Sequence, residues 1–314
     1  MEEGRTRVVW LDEPTVLPDW FVEEAGRICD LTVYRDTPDP EEAVRRLSGA
    51  DIALVEWSRF DAELIARLDT VRYLCIVTTG VDAVDLGAAA AHGVTVTNCP
   101  TYSAVAVAEY TIGALISGDR NLRGSHSESE AGRGHIYGPF LARGLAGHTL
   151  GLVGLGAIGR EVAARASSMG MRVIGCNSTG NPVPGVEVMS LEEVLSRADY
   201  VSVQVPYQAS TQGLLSAELL GLMPPHAVLT SISRAGVLEE EALAAMLRAN
   251  RLRGAVLDDV TDPATSPLVN LPSAMVTTGI AWFTEDAVER NFHELLETMR
   301  SCMGGEPVNR CRPS

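Results

Sequence analysis

Residues 150–160 read LGLVGLGAIGR, an apolar segment that runs directly into a glycine-rich loop. The loop glycines are Gly154, Gly156 and Gly159, and a helical pattern follows at once over 160–169. The first glycine permits a tight turn, the second lets the backbone approach a pyrophosphate, and the third lets helix and strand pack closely. A purely structural turn would also match the bare pattern. The strand before the loop and the helix after it favour a dinucleotide-binding unit.

The helix that follows the loop contributes the second part of this prediction. Its first turn presents backbone N–H groups and the positive end of the helix dipole, which together attract a phosphate. We therefore predict that the loop and the first helical turn bind the cofactor, through Gly154, Gly156, Ala157, Ile158 and Gly159.

The choice between NAD and NADP depends on the residue that follows the next predicted strand, 171–176. An acidic residue there binds the ribose 2′-hydroxyl of NAD, and a nearby arginine accommodates the 2′-phosphate of NADP. This chain has Asn177, which can hydrogen-bond a hydroxyl without repelling a phosphate, and no arginine follows it closely. Asn177 is equally compatible with a simple turn before Gly180. Both NAD and NADP therefore stay open as cofactors.

Short apolar runs alternate with helical patterns along the whole chain, which predicts parallel sheets with helices on both faces. One series precedes Pro100 and another follows it, so the 314 residues predict two α/β domains, each a doubly wound parallel sheet. The stretch 118–148 is polar, glycine-rich and too long for an ordinary connection, and is interpreted as a functional arm or a poorly ordered segment. The predicted strands are 8–11, 31–34, 52–55, 73–77, 94–97, 150–153, 173–176, 201–205, 227–231 and 254–258.

Composition excludes several classes of function. A net charge of −16 without a clustered basic stripe argues against a nucleic-acid partner. No stretch approaches the roughly 18 uninterrupted apolar residues of a membrane span. The six cysteines lack the spacing of a metal site and indicate reduced thiols in a cytoplasmic protein. The chain contains no lysine, which excludes Schiff-base chemistry.

Further motifs, in the same order along the chain, resemble the D-isomer-specific 2-hydroxyacid dehydrogenase family. Several motifs in the right order are far more specific than any one of them, and together they cover nearly the whole chain. They are TTGVDAVDL at 78–86, VTVTNCP at 94–100, VAEY at 107–110, ADYVSVQVP at 198–206, SISRAG at 231–236 and GAVLD at 254–258.

The resemblance implies a flavodoxin-like substrate domain, residues 1–100 together with 284–314, and a Rossmann dinucleotide-binding domain, residues 101–283. It places the active site in the interdomain cleft. It further implies an oxidoreductase that transfers hydride between NAD or NADP and a small carboxylate-bearing substrate. A homodimer through the cofactor domain is also implied, with no nucleic-acid or membrane partner and no metal.

Residue by residue, the resemblance gives Arg234 two roles, in binding the substrate carboxylate and in contacting the cofactor. A planar guanidinium suits bidentate recognition of a carboxylate. Asp262, next to Pro263, matches the acidic residue that orients the family's catalytic histidine, in a segment one residue shorter than usual; a solvated loop carboxylate is the competing interpretation. The other implied cofactor contacts are Val205, Pro206, Thr211, Ile232, Asp258 and Gly279, and the other substrate contacts are Thr79, Gly80 and Trp282.

The chain departs from the family at the proton donor. The family has a histidine in a Thr-Pro-His-Ile pattern, whereas residues 277–280 are Thr-Thr-Gly-Ile, with Gly279 at the histidine position. Loss of a general acid typically costs on the order of 10²–10⁴ in rate. His135, within the stretch 118–148, is the one histidine considered as a substitute, and a solvated surface histidine is its competing interpretation.

Three functions are compatible with this departure. An oxidoreductase could take its proton from another side chain, from water or from the substrate, as with an imine that enters already protonated. A dinucleotide sensor or interaction protein could use the fold without catalysis. An oxidation that needs little base catalysis, such as hydride abstraction from formate, is the third. The glycine loop together with Arg234 and Asp258 favours the first function.

Overall fold

The computed structural model describes residues 5–313. It divides into two compact units, one formed by the chain up to Ser103 together with residues from Thr284 onward, and the other by Ala104–Phe283. Each unit is built on a single parallel sheet, one of five strands and one of seven. The predicted α/β class with two doubly wound parallel sheets is therefore confirmed.

Helices and strands alternate throughout, as expected for parallel sheets whose strands are joined by crossover helices. The elements, in chain order, are β1 (Arg7–Trp10), α1 (Asp19–Ile28), β2 (Asp30–Val33), α2 (Pro40–Leu47), β3 (Ile52–Val55), α3 (Ala62–Ile65), β4 (Tyr73–Ile76), α4 (Leu86–Ala91), β5 (Thr95–Thr97), α5 (Ala104–Arg120), α6 (Leu122–Glu130), β6 (Thr149–Val153), α7 (Ala157–Ser168), β7 (Arg172–Cys176), β8 (Glu187–Val188), α8 (Leu191–Arg197), β9 (Tyr200–Val203), α9 (Ala217–Leu220), β10 (Val228–Ser231), α10 (Glu240–Arg248), β11 (Gly254–Leu257), β12 (Ala274–Val276) and α11 (Glu285–Met303).

The first unit has the strand order β2-β1-β3-β4-β5. Successive side chains of a strand point to opposite faces of the sheet. Val9 packs on the face covered by α2, α3 and α4. Trp10 points to the other face, where its ring stacks on Phe292 of α11 at 5.9 Å between centroids and meets the edge of Phe21 of α1 at 6.1 Å. The last helix of the chain therefore completes the core that the first strand begins.

The second unit has the strand order β12-β11-β10-β9-β6-β7-β8. Strand β6 pairs with both β7 and β9, so that Val153 lies opposite Cys176 on one side and Val203 on the other. The order of the strands reverses between β6 and β9. Strands β7 and β8 follow on one side of β6, and β9 to β12 follow on the other side. Open α/β sheets bind ligands at such a switch point, outside the carboxyl ends of the strands.

Helices cover both faces of the second sheet. Helices α5 and α7 pack on one face, and α8 and α10 pack on the other. All residues of β9, β10 and β11 are buried as a result. Strands buried on both faces appear in sequence as near-continuous apolar runs, which made these strands predictable although Ser202, Thr230 and Ser231 interrupt them.

The structure also contains elements that the sequence patterns did not predict, including α1, β8 and β12. Part of the stretch 118–148 is regular, since α6 begins there after Asn121, whose side chain accepts a hydrogen bond from the N–H of Gly124. His135 is exposed in the segment after α6, with φ 59°. None of the helices within residues 5–313 is long and apolar enough to cross a membrane.

Candidate active site

The carboxyl ends of the seven parallel strands form one edge of the second sheet. Most of the residues predicted to form the site follow these strands directly. They are Gly154 after β6, Asn177 after β7, Val205 and Pro206 after β9, Ile232 and Arg234 after β10, Asp258 after β11, and Gly279 after β12. The sheet therefore gathers them at the edge where open α/β sheets bind ligands.

The glycine loop is too closely packed for side chains at two of its positions. A Cβ at Gly154 would lie 2.9 Å from the carbonyl oxygen of Gln204, and a Cβ at Gly159 would lie 2.3 Å from the carbonyl oxygen of Gly154. Gly154 also has φ 105°, which residues with a side chain rarely adopt. The loop therefore holds the beginning of α7 directly against the end of β6.

Helix α7 begins without a side-chain cap. Its N-cap residue is Gly156, and no side chain in the described part of the chain caps its first turn. The N–H groups of Ala157 and Ile158 therefore lie at an open helix end, where the first-turn donors have no intrahelical partner. Together with the helix dipole, such an end binds phosphate groups.

Gln204 adds an unsatisfied acceptor beside this loop. Its Nε2 donates to Ser202 Oγ at 2.8 Å, while its Oε1 is buried and has no hydrogen-bond partner within residues 5–313. That oxygen lies 3.1 Å from the position that a Cβ of Gly159 would take. A buried acceptor without a donor costs about 1–3 kcal/mol. The close-packed loop, the open helix end and this oxygen together fit a bound dinucleotide, and sequence reasoning missed Gln204.

Asn177 uses both ends of its side chain within its own loop. Its Nδ2 donates to the carbonyl oxygen of Asn181 at 2.9 Å, and its Oδ1 accepts from the Thr179 hydroxyl at 3.1 Å. Asn177 therefore forms the turn that was one of its two interpretations. It places no negative charge at the end of β7, where an acidic residue would oppose a 2′-phosphate.

Hydrogen bonds hold the segment after β9 in shape and join it to the segment after β10. The Thr211 hydroxyl donates to the carbonyl oxygen of Pro206 at 2.5 Å, and the Ser233 hydroxyl donates to that of Val205 at 2.8 Å. The N–H of Ile232 donates to the last residue of β9 at 3.2 Å. These residues are therefore held in a fixed backbone arrangement next to the switch point.

Arg234 follows β10 with its side chain exposed. Its guanidinium makes no hydrogen bond and no ion pair with any residue between 5 and 313. The backbone next to it is anchored, because the N–H of Ala235 donates to Asp259 Oδ2 at 3.2 Å. An arginine side chain has five N–H donors in a planar fork, so Arg234 is available to a carboxylate ligand.

The carboxylate of Asp258 is buried and is engaged by the turn after β12. Oδ1 accepts from the Thr277 hydroxyl at 2.6 Å and from the N–H of Ile280 at 3.0 Å, and Oδ2 accepts from the N–H of Ala281 at 2.8 Å. Tyr110 of α5 hydrogen-bonds to the Thr277 hydroxyl, and burial raises the pKa of Tyr110 to about 12. Two carboxylate oxygens offer about four acceptor positions. Little capacity is therefore left for the cofactor contact predicted for Asp258.

Gly279 lies within this turn in the left-handed conformation, with φ 76°. Its N–H donates to the carbonyl oxygen of Asp258 at 2.7 Å. A Cβ at Gly279 would meet nothing closer than that same oxygen, 4.0 Å away. The position has space for a larger group, but a residue with a side chain would be strained there by about 1–2 kcal/mol.

Asp262 lies in the exposed loop after β11, and both of its carboxylate oxygens bind that loop. Oδ1 accepts from the N–H of Ala264 at 2.9 Å, and Oδ2 accepts from the Thr265 hydroxyl at 3.0 Å. These local bonds favour the interpretation of Asp262 as a loop carboxylate. Its predicted role in orienting a catalytic group stays a prediction.

Asp259 is the acidic residue that the structure places beside Arg234. It is half-buried, and it accepts the N–H of Ala235 next to that arginine. Burial raises the pKa of Asp259, against the opposing influence of the Ala235 N–H and of the Arg234 charge. Sequence reasoning missed Asp259, since two adjacent aspartates at a strand end carry no signal of which one faces the arginine.

The other residues predicted to bind the substrate are Thr79, Gly80 and Trp282. Thr79 and Gly80 follow β4 of the first unit, and the Thr79 hydroxyl donates to the carbonyl oxygen of Cys99 at 3.1 Å. In the second unit, the Trp282 ring meets the edge of Phe283 at 5.1 Å between centroids. Their contact with a substrate stays a prediction.

Comparison with known proteins gives consistent matches. The model of the D-isomer specific 2-hydroxyacid dehydrogenase, NAD binding domain, matches residues 112–281. The chain is 29% identical to the glycerate dehydrogenase of Methylorubrum extorquens, over 96% of this chain and 98% of that protein. It is 34% identical to the D-3-phosphoglycerate dehydrogenase of Mycobacterium leprae over 87% of this chain, and it spans about half, 53%, of that longer protein. A solved acyclic imino acid reductase in complex with NADPH and D-Arg is similar, with a TM-score of 0.95 and 36% identity over 97% of this chain and 99% of that one.

Proposed function

Since the chain belongs to the D-isomer specific 2-hydroxyacid dehydrogenase family of NAD(P)-dependent oxidoreductases, we propose that it reduces 2-imino acids with NADPH. Two observations carry this proposal: the Arg234 guanidinium has no partner among residues 5–313, and Gly279, at the position of the family's histidine, has no acidic side chain. A substrate carboxylate has a group to bind it. A ketone oxygen has no proton donor at that histidine position.

Reduction of an imine and reduction of a ketone need proton donors of different acid strength. An imine nitrogen is much more basic than a carbonyl oxygen, and it takes its proton from a weak acid or from water. Proton transfer is most effective when the acidity of the donor is matched to the acceptor and to the working pH. Removal of the histidine therefore impairs ketone reduction far more than imine reduction.

The residues of the second unit then have separate tasks. Arg234 binds the substrate carboxylate and orients the neighbouring C=N carbon, as a bidentate fork does. The loop of Gly154, Gly156 and Gly159 and the first turn of α7 bind the pyrophosphate through backbone N–H groups. Asp258 fixes the turn that carries Gly279, which leaves space for the substituents of an amine. The cofactor, when bound, supplies the hydride.

NADPH is proposed as the preferred cofactor. Asn177 puts no carboxylate at the end of β7, so a 2′-phosphate meets no repulsion there. The similar imino acid reductase was solved with NADPH, which supports the same choice here.

The remaining predictions extend this proposal. Residues up to 103 together with those from 284 onward would form the substrate domain, and residues 104–283 the cofactor domain. Thr79, Gly80 and Trp282 would contact the substrate, and Asp262 would support the site from its loop. Two copies would associate through the cofactor domain.

The test compares a 2-keto acid with and without an amine. The purified protein is mixed with NADPH or NADH and pyruvate, or the 2-keto analogue of arginine, in the presence or absence of ammonium or methylamine. We expect NADPH oxidation that depends on the amine and yields an amino acid of D configuration. Equal oxidation without amine would contradict the proposal, and tight NADPH binding without oxidation of any substrate would favour a dinucleotide-binding protein instead.

A further inference from the structure

Three aspartates lie close together after β11, and they differ in how much of each carboxylate is already in use. Asp258 is buried and accepts three hydrogen bonds from the turn after β12. Asp262 accepts one local hydrogen bond on each oxygen and is exposed. Asp259 is half-buried and accepts two backbone N–H groups, that of Ala235 on Oδ2 and that of Val260. Two of its about four acceptor positions are therefore still available, and of these three aspartates Asp259 is the one that is partly buried.

Asp259 is also tied to the substrate-binding arginine. The Ala235 N–H that it accepts at 3.2 Å belongs to the residue directly after Arg234. The two side chains nevertheless form no ion pair within 4 Å, so the guanidinium stays free for a ligand. A carboxylate bound to Arg234 is covalently attached to the imine carbon. The imine nitrogen is therefore brought to the same part of the edge as Asp259.

From this arrangement, and resting on the proposed function, we propose that Asp259 is the proton donor of the site. Its carboxyl O–H gives its proton to the nitrogen of a neutral C=N–R group, which becomes C=NH–R⁺ while Asp259 becomes a carboxylate. Hydride from NADPH then adds to the imine carbon, giving an amine and NADP⁺. A proton from water restores the carboxyl group, so that the reaction consumes one hydride and one proton.

The electrostatic surroundings suit this task. Burial raises the pKa of Asp259, and the neighbouring charge of Asp258 acts in the same direction. The Ala235 N–H and the charge of Arg234 act in the opposite direction, and burial outweighs them. The carboxyl group therefore keeps its proton at higher pH than an ordinary aspartate does. A raised pKa is typical of a carboxylic acid that acts as a general acid.

The test is the Asp259→Asn substitution in the full-length protein, assayed with NADPH, pyruvate and methylamine. The amide retains an oxygen for the Ala235 N–H but has no carboxyl proton. We expect kcat to fall about 10²-fold or more, with little change in KM. The wild-type kcat should decrease as pH rises through the pKa of Asp259, whereas the kcat of D259N should no longer follow that titration. Glu241→Gln, which removes an exposed carboxylate on α10, is the matched control and should leave both profiles unchanged.

A second amine separates proton donation from a structural effect. Dimethylamine and pyruvate form an iminium ion that is permanently charged and needs no proton before hydride addition. With this substrate D259N should keep the wild-type kcat within about threefold, as a proton-transfer role requires. Equal losses with both amines, or a higher KM with an unchanged pH profile, would overturn the proposal and make Asp259 a positioning residue for Arg234. Absence of wild-type turnover with either amine would instead overturn the proposed function itself.

Discussion

The two ends of the carboxyl edge of the second sheet are built in different ways. Between β6 and α7 the site is made of backbone, with close-packed glycines and open N–H groups. Around β11 and β12 it is made of side chains. Asp258 accepts hydrogen bonds from the turn after β12, and Asp259 accepts one from the backbone next to Arg234. The first arrangement depends on glycines that have no room for a side chain. The second depends on the hydrogen bonds that the two aspartates accept. Substitutions should therefore act sterically at one end and through lost hydrogen bonds at the other.

The largest effect on stability is expected for Asp258→Ala. The substitution leaves the Thr277 hydroxyl and two backbone N–H groups without their acceptor, in a part of the molecule that is largely buried. We expect the free energy of unfolding to fall by about 3–5 kcal/mol. Asp262→Ala, in the exposed loop, should cost about 1 kcal/mol. Denaturant unfolding measures both, and equal losses would contradict the contrast between buried and exposed carboxylates.

At the other end of the edge, Gly159→Ala adds a single methyl group, which should clash with the backbone. Its Cβ would lie 2.3 Å from a backbone oxygen, so α7 must move away from β6. We expect a loss of about 1–3 kcal/mol in the free energy of unfolding, with NADPH affinity at least tenfold weaker by calorimetry. The same change at Gly113 of α5, where a Cβ meets nothing within 4 Å, should stabilise the helix slightly. Unchanged NADPH affinity in the Gly159 variant would remove the loop from the cofactor site.

Substitutions of Gly279 test whether a proton-donating side chain can be restored to the turn after β12. Gly279→Ala and Gly279→His should each cost about 1–2 kcal/mol, since both place a side chain at φ 76°. Only the histidine should increase the reduction of pyruvate in the absence of an amine. Steady-state kinetics with NADPH measure this difference. Equal activity of the two variants would show that position 279 does not face the reacting carbon.

The smallest effect is expected for Asn177→Asp, which adds a charge at the ribose end. A carboxylate there should raise the KM for NADPH about tenfold, or about 1.4 kcal/mol, and should change the KM for NADH little. Asn177→Ser keeps a neutral group at the same place and serves as the control. An equal change for both cofactors would mean that Asn177 acts only on its own loop.

The sequence alone was sufficient to predict the structural features that are marked by repeated patterns along the chain. Its alternating runs and ordered motifs predicted the two sheets and an NAD(P)-dependent oxidoreductase of this family, and both are confirmed. Strand β8 has only two residues, and β12 only three, so neither forms a recognisable run. The amphipathic helix α1 was also missed; it lacks a side-chain cap to mark its beginning.

The candidate site was predictable only where a motif fixes the backbone. Gly154, Gly156 and Gly159 belong to a pattern whose spacing has one geometric meaning. No motif shows which aspartate supplies the acid of the site. Asp259 and Asp262 are the same type of residue and differ only in their hydrogen-bond partners, which the sequence does not show. The left-handed backbone of Gly279 likewise depends on the hydrogen bonds of its turn.

The stacking of Phe292 on Trp10 has a consequence for the order in which the protein matures during synthesis. All of the second unit, Ala104–Phe283, is translated before the helix that carries Phe292. Domains generally fold as units while the chain emerges. The first unit, most of which is translated before the second, should therefore complete its native core later than the second, because the Trp10 face of its sheet is only partly covered until α11 is made.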